Sequence, residues 1–219
     1  MTSNGTVIAT TATYVHDLLT GEGSGHDWWH IYRVWNNAKA IAAQEKGADL
    51  YVVELAALLH DIGDHKFHNG DETVGPRMAK EWLEQQLVPS EVIAAVCLII
   101  QELSFKGAGT SSAMSSLEGC IVQDADRLDA IGAIGIARTF AYGGHKNREL
   151  YNPHIAPVLH DSFEAYKAST APTINHFYEK LLLLKDRMHT ATARRIATRR
   201  HQYMEDFLEQ FYAEWEGNR

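Results

Sequence analysis

Cysteine is scarce in this sequence, and long apolar runs are absent from it. Only two cysteines, Cys97 and Cys120, occur among 219 residues. Their apolar neighbours indicate buried free thiols and not the disulfide framework of a small secreted protein. The first residues show neither the basic start nor the apolar stretch of a signal peptide. No run reaches the length of about 20 apolar residues that spans a membrane, so we expect a cytoplasmic protein without a membrane partner.

Positive charge is also in deficit. The chain has 20 Lys and Arg against 28 Asp and Glu, which gives a formal net charge of −8 at pH 7. This balance lacks the basic footprint of a protein that binds nucleic-acid polymers. It does not exclude an anionic small molecule, because a bound cation reverses the local field. With 45% hydrophobic residues, the chain is long enough to bury a sizeable core.

Strand-like alternation of apolar and polar residues is missing, and helical spacing is present in its place. We therefore predict an all-α fold in a single domain over residues 1–219. Asp27 is expected to cap one of its helices, Asp49 is expected to start the next, and Gly143 with Gly144 is expected to end another. The predicted helices cover 6–20, 28–46, 49–61, 73–86, 92–103, 117–130, 131–142, 162–168, 173–187 and 191–215.

The most informative stretch is LLHDIGD at residues 58–64. An apolar helix there delivers an imidazole and a carboxylate, His60 and Asp61, to its C-terminal edge. Gly63 is expected to let the chain turn past the helix end. Histidine and aspartate together suit a divalent transition metal or a Mg-like cation. Because one pair fills only part of a coordination shell, other residues must supply the rest.

A second polar group lies on the predicted helix that starts at Trp28. His30, Arg33 and Asn37 share one face of this helix, three to four residues apart. From this helix alone, a half-buried histidine satisfied within the core is the simpler interpretation. The loop at 64–72 after His60 is dense in titratable groups. Its two histidines, His65 and His68, could bind a metal, and a solvated surface loop is the alternative.

Three aspartates interrupt an otherwise apolar helix between Leu117 and Ala130. They are Asp124, Asp126 and Asp129. Buried charges need partners or a metal, and a solvated helix face would have fewer apolar neighbours. Asp126 and Asp129 share a face, while Asp124 points elsewhere. This stretch therefore predicts a second polar cluster inside the fold.

Two other stretches leave alternatives open. The run from Lys106 to Ser116 is rich in Gly, Ser and Thr, so that residues 105–116 are either a lid or a plain connector. The pairs Arg194-Arg195 and 199–200 lie on the predicted closing helix. A solvated or packing face is the simpler interpretation of these arginines, and phosphate binding is the alternative.

Three separated motifs stand in the order H…HD…D, with HIYRV at 30–34, LLHDIGD at 58–64 and DADRLDA at 124–130. This order resembles the HD-domain superfamily of metal-dependent phosphohydrolases over about residues 20–145. The segments GHDWWH at 25–30 and DHKF at 64–67 are most similar to its bacterial YpgQ/YedJ-like branch. The resemblance implies an HD-type helical bundle, with the metal-site core at about 20–145 and a helical extension at about 146–219.

The resemblance also implies a ligand set. One divalent cation would be held by four side chains, with Asp126 chosen because it precedes RLD as the family pattern places it; Asp124 and Asp129 then support the ligands from outside. Manganese is favoured among Mn, Mg, Fe, Co, Ni and Zn, since two imidazoles and two carboxylates suit such ions. The four implied ligands are His30, His60, Asp61 and Asp126.

The implied activity is hydrolysis of a phosphate ester or anhydride, and in this branch of nucleoside or deoxynucleoside triphosphates. A bound ion lowers the pKa of its water and neutralises phosphate charge. Asp64 stands where some members place an acid–base carboxylate, and Arg33 and Lys66 are candidates to hold phosphates. A phosphodiesterase and a non-catalytic nucleotide sensor are the alternatives, and the complete ligand set argues against the sensor. The sequence leaves open whether the protein forms a homodimer.

Overall fold

The computed structural model describes residues 3–20, 27–63, 71, 73–104, 114–159 and 170–218. All regular structure in these ranges is helical, which confirms the predicted all-α fold. None of the described helices is long and apolar enough to cross a membrane. The helices are α1 Asn4–Leu18, α2 Trp28–Ala42, α3 Leu50–Leu59, α4 Val74–Gln85, α5 Ser90–Ser104, α6 Leu117–Asp129, α7 Gly132–His145, α8 Asn175–Glu179, a 3-10 helix Leu181–Arg187 and α9 Ala191–Trp215.

The chain divides into two compact units, Met1–Asp126 and Arg127–Arg219. The division falls between residues 126 and 127 of the α6 segment. The single domain over residues 1–219 stays a prediction.

In the first unit, α3 is the central helix and packs against α1, α2 and α5. Its residues 52, 53 and 55–59 are all buried, as expected for a helix that is apolar on every side. The predicted Asp27 cap is confirmed, since its carboxylate accepts the His30 N–H at 2.9 Å. Asp49, predicted only as the start of the next helix, caps it by accepting the Tyr51 N–H at 2.9 Å. These caps fix where α2 and α3 begin and therefore where their histidines lie.

In the second unit, α9 packs against α7 and the 3-10 helix. Phe177 is fully buried and stacks on Phe207 of α9 with the ring centroids 5.9 Å apart. Arg194 donates to the Met188 carbonyl at 3.0 Å, and Arg200 donates to the Leu128 carbonyl. For these two arginines the structure supports the packing role and not phosphate binding.

Several predicted helix boundaries were wrong. Gly143 and Gly144 do not end a helix, because α7 runs on to His145. A Cβ at Gly143 would lie 2.2 Å from Thr173 Oγ1, so glycine is needed there for close packing and not as a stop signal. The predicted helix over 173–187 is instead the short α8 followed by the 3-10 helix. The predicted helix at 162–168 and residues 105–113 of the predicted lid or connector lie outside the described residues.

Candidate metal centre

His30 lies in the first turn of α2 and is almost fully buried, with 1% of its surface exposed. Its Nε2 atom is 3.4 Å from Asp61 Oδ2 and 3.5 Å from Asp126 Oδ1. The imidazole therefore faces two carboxylates that come from different segments of the chain. A histidine that only packed in the core would not need these carboxylate neighbours.

His60 follows the last residue of α3, and its orientation is set by the helix itself. Its Nδ1 atom lies 2.9 Å from the Ala57 carbonyl oxygen. Because a carbonyl only accepts, Nδ1 must carry the proton and Nε2 of the neutral ring keeps its lone pair. Nε2 is buried without a hydrogen-bond partner, 3.5 Å from Asp61 Oδ2. A lone pair facing a carboxylate is repulsive unless a cation lies between them.

Three ligand atoms, one each from His30, His60 and Asp126, all lie within 4.8 Å of one another. Asp61 adds a carboxylate oxygen within 3.5 Å of both imidazoles. Metal–ligand distances of about 2.0–2.3 Å let two donors on opposite sides of one ion lie up to about 4.6 Å apart, which is close to the separations in this group. Two imidazoles and two carboxylates suit a divalent transition metal by type.

The two carboxylates also give the group its access to solvent. The Asp61 side chain is 19% exposed and the Asp126 side chain 34%, while both imidazoles are buried. The nitrogen donors therefore lie deeper than the oxygen donors. A ligand approaching from solvent would meet the carboxylate side of the group first.

The third motif divides into three different environments. Asp124 is completely buried and lies two residues before Asp126 in α6. Asp129 is 1% exposed and accepts a 2.7 Å hydrogen bond from the Arg138 guanidinium. Burial lowers the pKa of Arg200 below its ordinary value, and the nearby Asp129 carboxylate acts in the opposite direction. Asp129 is therefore neutralised by arginine, as its predicted role outside the coordination shell requires.

The structure brings together helices that sequence reasoning had treated separately. On α2, Asn37 Nδ2 lies 3.5 Å from the Ala125 carbonyl, next to Asp126. Trp35 Nε1 donates to Glu54 Oε2 at 2.8 Å and so joins α2 to α3. Sequence reasoning missed this Trp–Glu pair; the only signal for it is that both residues lie on helices that carry a motif histidine.

Gly63 does not act as the predicted helix-ending glycine. Its φ is not among the left-handed values of the described glycines, and His60 keeps right-handed helical angles. The chain continues past α3 in a turn in which the Ile62 N–H donates to the Leu59 carbonyl at 3.4 Å. The prediction of a conformational role was wrong because the glycine serves a close approach to Gly75 of α4.

Part of the predicted site cannot be placed. Asp64 and Lys66, the predicted acid–base group and one phosphate-binding residue, lie outside the described residues, as do His65 and His68. Arg33 is half-buried on α2, three residues after His30. It is the one predicted phosphate-binding residue that the structure describes.

Comparisons with known proteins agree with this geometry. Residues 28–131 match the HD domain family, a range that contains all four candidate ligands. The chain is 43% identical over 203 residues to the uncharacterized protein YpgQ of Bacillus subtilis (strain 168), covering 90% of this chain and 88% of that one. The crystal structure of an HD-superfamily hydrolase from Bacillus thuringiensis is 44% identical, with a TM-score of 0.78 and coverage of 98% of this chain and 99% of that one.

A structure of Bacillus subtilis YpgQ has been solved in complex with ADP. It superposes with a TM-score of 0.77 and 34% identity, and covers 96% of each chain. These similarities extend over nearly the whole sequence and include the three motifs. The chain therefore belongs to the HD-domain superfamily of metal-dependent phosphohydrolases, in its YpgQ-like branch.

Proposed function

We propose that this protein hydrolyses nucleoside or deoxynucleoside triphosphates by means of one divalent cation held by His30, His60, Asp61 and Asp126. The observation that carries the proposal is the buried Nε2 of His60, which has no hydrogen-bond partner and faces the Asp61 carboxylate at 3.5 Å. A divalent cation between Nε2 and the carboxylate would give both groups a partner. Manganese is the favoured ion, because the donor set combines imidazole with carboxylate.

When bound, such an ion supplies an activated water and neutralises charge on a phosphate oxygen. The protein's own residues would prepare the site for this chemistry. The Ala57 carbonyl fixes the His60 tautomer, as second-shell acceptors do for ligating histidines. The partly exposed Asp61 and Asp126 leave one side of the site open to a substrate. Arg33, on the same helix as His30, is proposed to hold a phosphate group by bidentate hydrogen bonds.

Two observations support a nucleotide as the substrate. The related YpgQ has been crystallised with ADP, and a cation among carboxylates accommodates a polyphosphate although the whole chain has a net charge of −8. We propose Asp64 as the acid–base group and Lys66 as a second phosphate contact. Both roles come from the resemblance of the motif to the family and not from the geometry of the described residues.

A substrate screen tests this function directly. The purified protein is incubated with each ribo- and deoxyribonucleoside triphosphate, with cyclic and linear phosphodiesters, and with Mn²⁺ or Mg²⁺. Products are resolved by ion-exchange chromatography. Release of pyrophosphate or phosphate from triphosphates, lost in Asp126→Asn, is the expected result. Hydrolysis of diesters alone would indicate a phosphodiesterase, and nucleotide binding without turnover would indicate a sensor; either result overturns the proposal.

A further inference from the structure

The turn that carries His60 and Asp61 passes directly against the first turn of α4. A Cβ atom built on Gly63 would lie 2.6 Å from Gly75 N, 2.7 Å from Gly75 Cα and 3.0 Å from the carbonyl carbon of Val74. All three are backbone atoms, which cannot rotate away as the end of a side chain can. Any side chain at position 63 must therefore push the turn and α4 apart.

The contact is asymmetric. A Cβ at Gly75 would meet Ile100 Cγ2 at 3.4 Å and the Gly63 carbonyl oxygen at 3.7 Å, which are ordinary van der Waals distances. Gly63 does not adopt a left-handed φ, so its backbone angles do not require glycine. The absence of a side chain at position 63 serves only the close approach of the two backbones.

The surface against which Gly63 packs is itself firmly held. Helix α4 packs against α5, and Val74 and Ile100 are both buried. Ahead of α4, the Asp71 carboxylate accepts hydrogen bonds from the Thr73 backbone N–H at 2.9 Å and from its hydroxyl at 2.6 Å. The start of α4 is thus held in place by its neighbours, so a clash at Gly63 would move the turn.

The required movement is large for a coordination site. Restoring an ordinary 3.4 Å contact from 2.6 Å displaces position 63 by about 0.8 Å, whereas functional constellations tolerate only about 0.5 Å. Gly63 is two residues from Asp61 and three from His60. A displacement of the turn therefore reaches both of these side chains.

We infer that the Gly63–Gly75 contact is a positioning device for the metal centre. The start of α4 sets the distance of the His60–Asp61 turn from the His30 and Asp126 donors, although neither glycine touches the ion. This inference rests on the proposed metal centre. It adds α4, which carries none of the motif residues, to the elements that build the site.

Titration of the purified full-length protein with Mn²⁺ tests the inference. Metal-free parent, Gly63→Ala and Gly143→Ala are titrated by calorimetry and by electron paramagnetic resonance of the free ion. Gly143→Ala is the matched control, because its Cβ would lie 2.2 Å from Thr173 Oγ1 in the other unit of the chain. We expect Gly63→Ala to bind Mn²⁺ at least about tenfold more weakly, the range of second-shell losses, and Gly143→Ala to keep the parental affinity.

A kinetic readout separates positioning from lost stability. A misplaced ligand pair raises the Mn²⁺ concentration for half-maximal turnover, whereas partial unfolding lowers only the amount of active enzyme. Parental Mn²⁺ affinity in folded Gly63→Ala, or an equal loss in Gly143→Ala, would overturn the inference. If the parent itself bound no Mn²⁺, the proposed metal centre would fail first, and the inference with it.

A second variant tests the positioning role if Gly63→Ala does not fold. Gly75→Val adds two methyl groups where a single Cβ already contacts Ile100 and the Gly63 carbonyl oxygen. It presses on the same contact from the α4 side. A weaker Mn²⁺ affinity in folded Gly75→Val, with a smaller loss in Gly75→Ala, supports the positioning role. Parental affinity in Gly75→Val would contradict it.

Discussion

Asp126 and Asp129 lie one helical turn apart on α6, yet their carboxylates have different neighbours, an imidazole in one case and a guanidinium in the other. Asp126 Oδ1 lies 3.5 Å from His30 Nε2 and belongs to the group that also includes His60. Asp129 accepts a 2.7 Å hydrogen bond from Arg138. A guanidinium neutralises a buried carboxylate without further help. An imidazole carries no fixed charge of this kind, and at Asp126 the proposed bound cation would supply it.

The comparison shows what distinguishes a metal ligand from a structural carboxylate on the same helix face. Spacing along α6 is the same for both interpretations, since residues three apart share a face. The identity of the partner on the facing element decides between them. The predictions below test this distinction, from the largest expected effect to the smallest.

Removal of a nitrogen donor should have the largest effect. We expect His30→Ala and His60→Ala to lose bound metal and activity by more than the roughly 10–100-fold typical of second-shell changes, because one imidazole and two carboxylates form a weaker site than the full set of four ligands. Metal analysis by mass spectrometry, together with turnover, checks this. Full metal occupancy with normal turnover in either variant would remove that histidine from the shell.

Asp64→Asn should separate proton transfer from metal binding. Asparagine keeps the size and hydrogen bonding of the side chain but cannot exchange a proton, so we expect turnover to fall by about 10²–10⁴-fold with metal content and substrate affinity retained. Kinetics at saturating Mn²⁺ measure the loss. Asparagine caps a helix about as well as aspartate, so turnover within a few-fold of the parent would assign Asp64 a structural role.

Asp129→Asn should act mainly on stability and keep the four proposed metal ligands in place. The change removes the charge that pairs with the half-buried Arg138, and the loss of a charged partner costs about 1–3 kcal/mol. Urea unfolding measures the difference in the free energy of unfolding. The exposed Asp206→Asn is the control and should change that free energy by less than about 0.5 kcal/mol. Equal stability of the two variants would show that the Asp129–Arg138 pair contributes nothing.

The effect that is smallest at neutral pH concerns His176, which has the cations Lys180 and Arg148 as neighbours. Burial, followed by the charges of Lys180 and Arg148, lowers the pKa of His176 from 6.5 to about 3. Below pH 6.5 the unfolded chain therefore binds a proton at His176 that the folded protein does not bind. The free energy of unfolding keeps the full contribution of neutral His176 above pH 6.5, and this contribution falls by about 1.4 kcal/mol per pH unit as the pH drops toward 3.

Urea unfolding at pH 7.0, 6.0 and 5.0 in the presence of a chelator tests this pH dependence. The chelator removes any contribution of the metal centre. In His176→Gln the free energy of unfolding should depend less on pH than it does in the parent, because the contribution of His176 is missing. Identical slopes in the two proteins would show that His176 titrates normally in the folded state.

Much of the fold followed from local signals. Asp27 was predicted as a cap and Asp49 as the start of a helix from local sequence, and helix α9 was predicted with the bounds that the structure shows, Ala191–Trp215. Capping and amphipathic spacing depend on neighbours within about four residues. The order H…HD…D likewise identified the family, because each of its three motifs is a short continuous stretch of sequence.

The misjudged features depend on partners distant in the sequence. Gly63 was interpreted as a conformational stop because its true partner, Gly75, lies twelve residues further on. Gly143 was interpreted in the same way, although the contact that requires it is with Thr173. The pairing of Asp129 with Arg138 joins two helices, one on each side of the helix break at Ala130 and Ile131. Single-sequence patterns report such contacts only after the fold is known.

Mn²⁺ binding to the parent, Asp126→Asn and Asp129→Asn, measured side by side by calorimetry, tests the central claim most directly. We expect one bound ion per chain in the parent. In Asp126→Asn the Mn²⁺ affinity should fall by more than about 100-fold, whereas in Asp129→Asn it should fall by no more than the roughly 10–100-fold of second-shell changes. If Asp129→Asn lost Mn²⁺ as completely as Asp126→Asn, or if Asp126→Asn bound it like the parent, the assignment of the two aspartates would be contradicted.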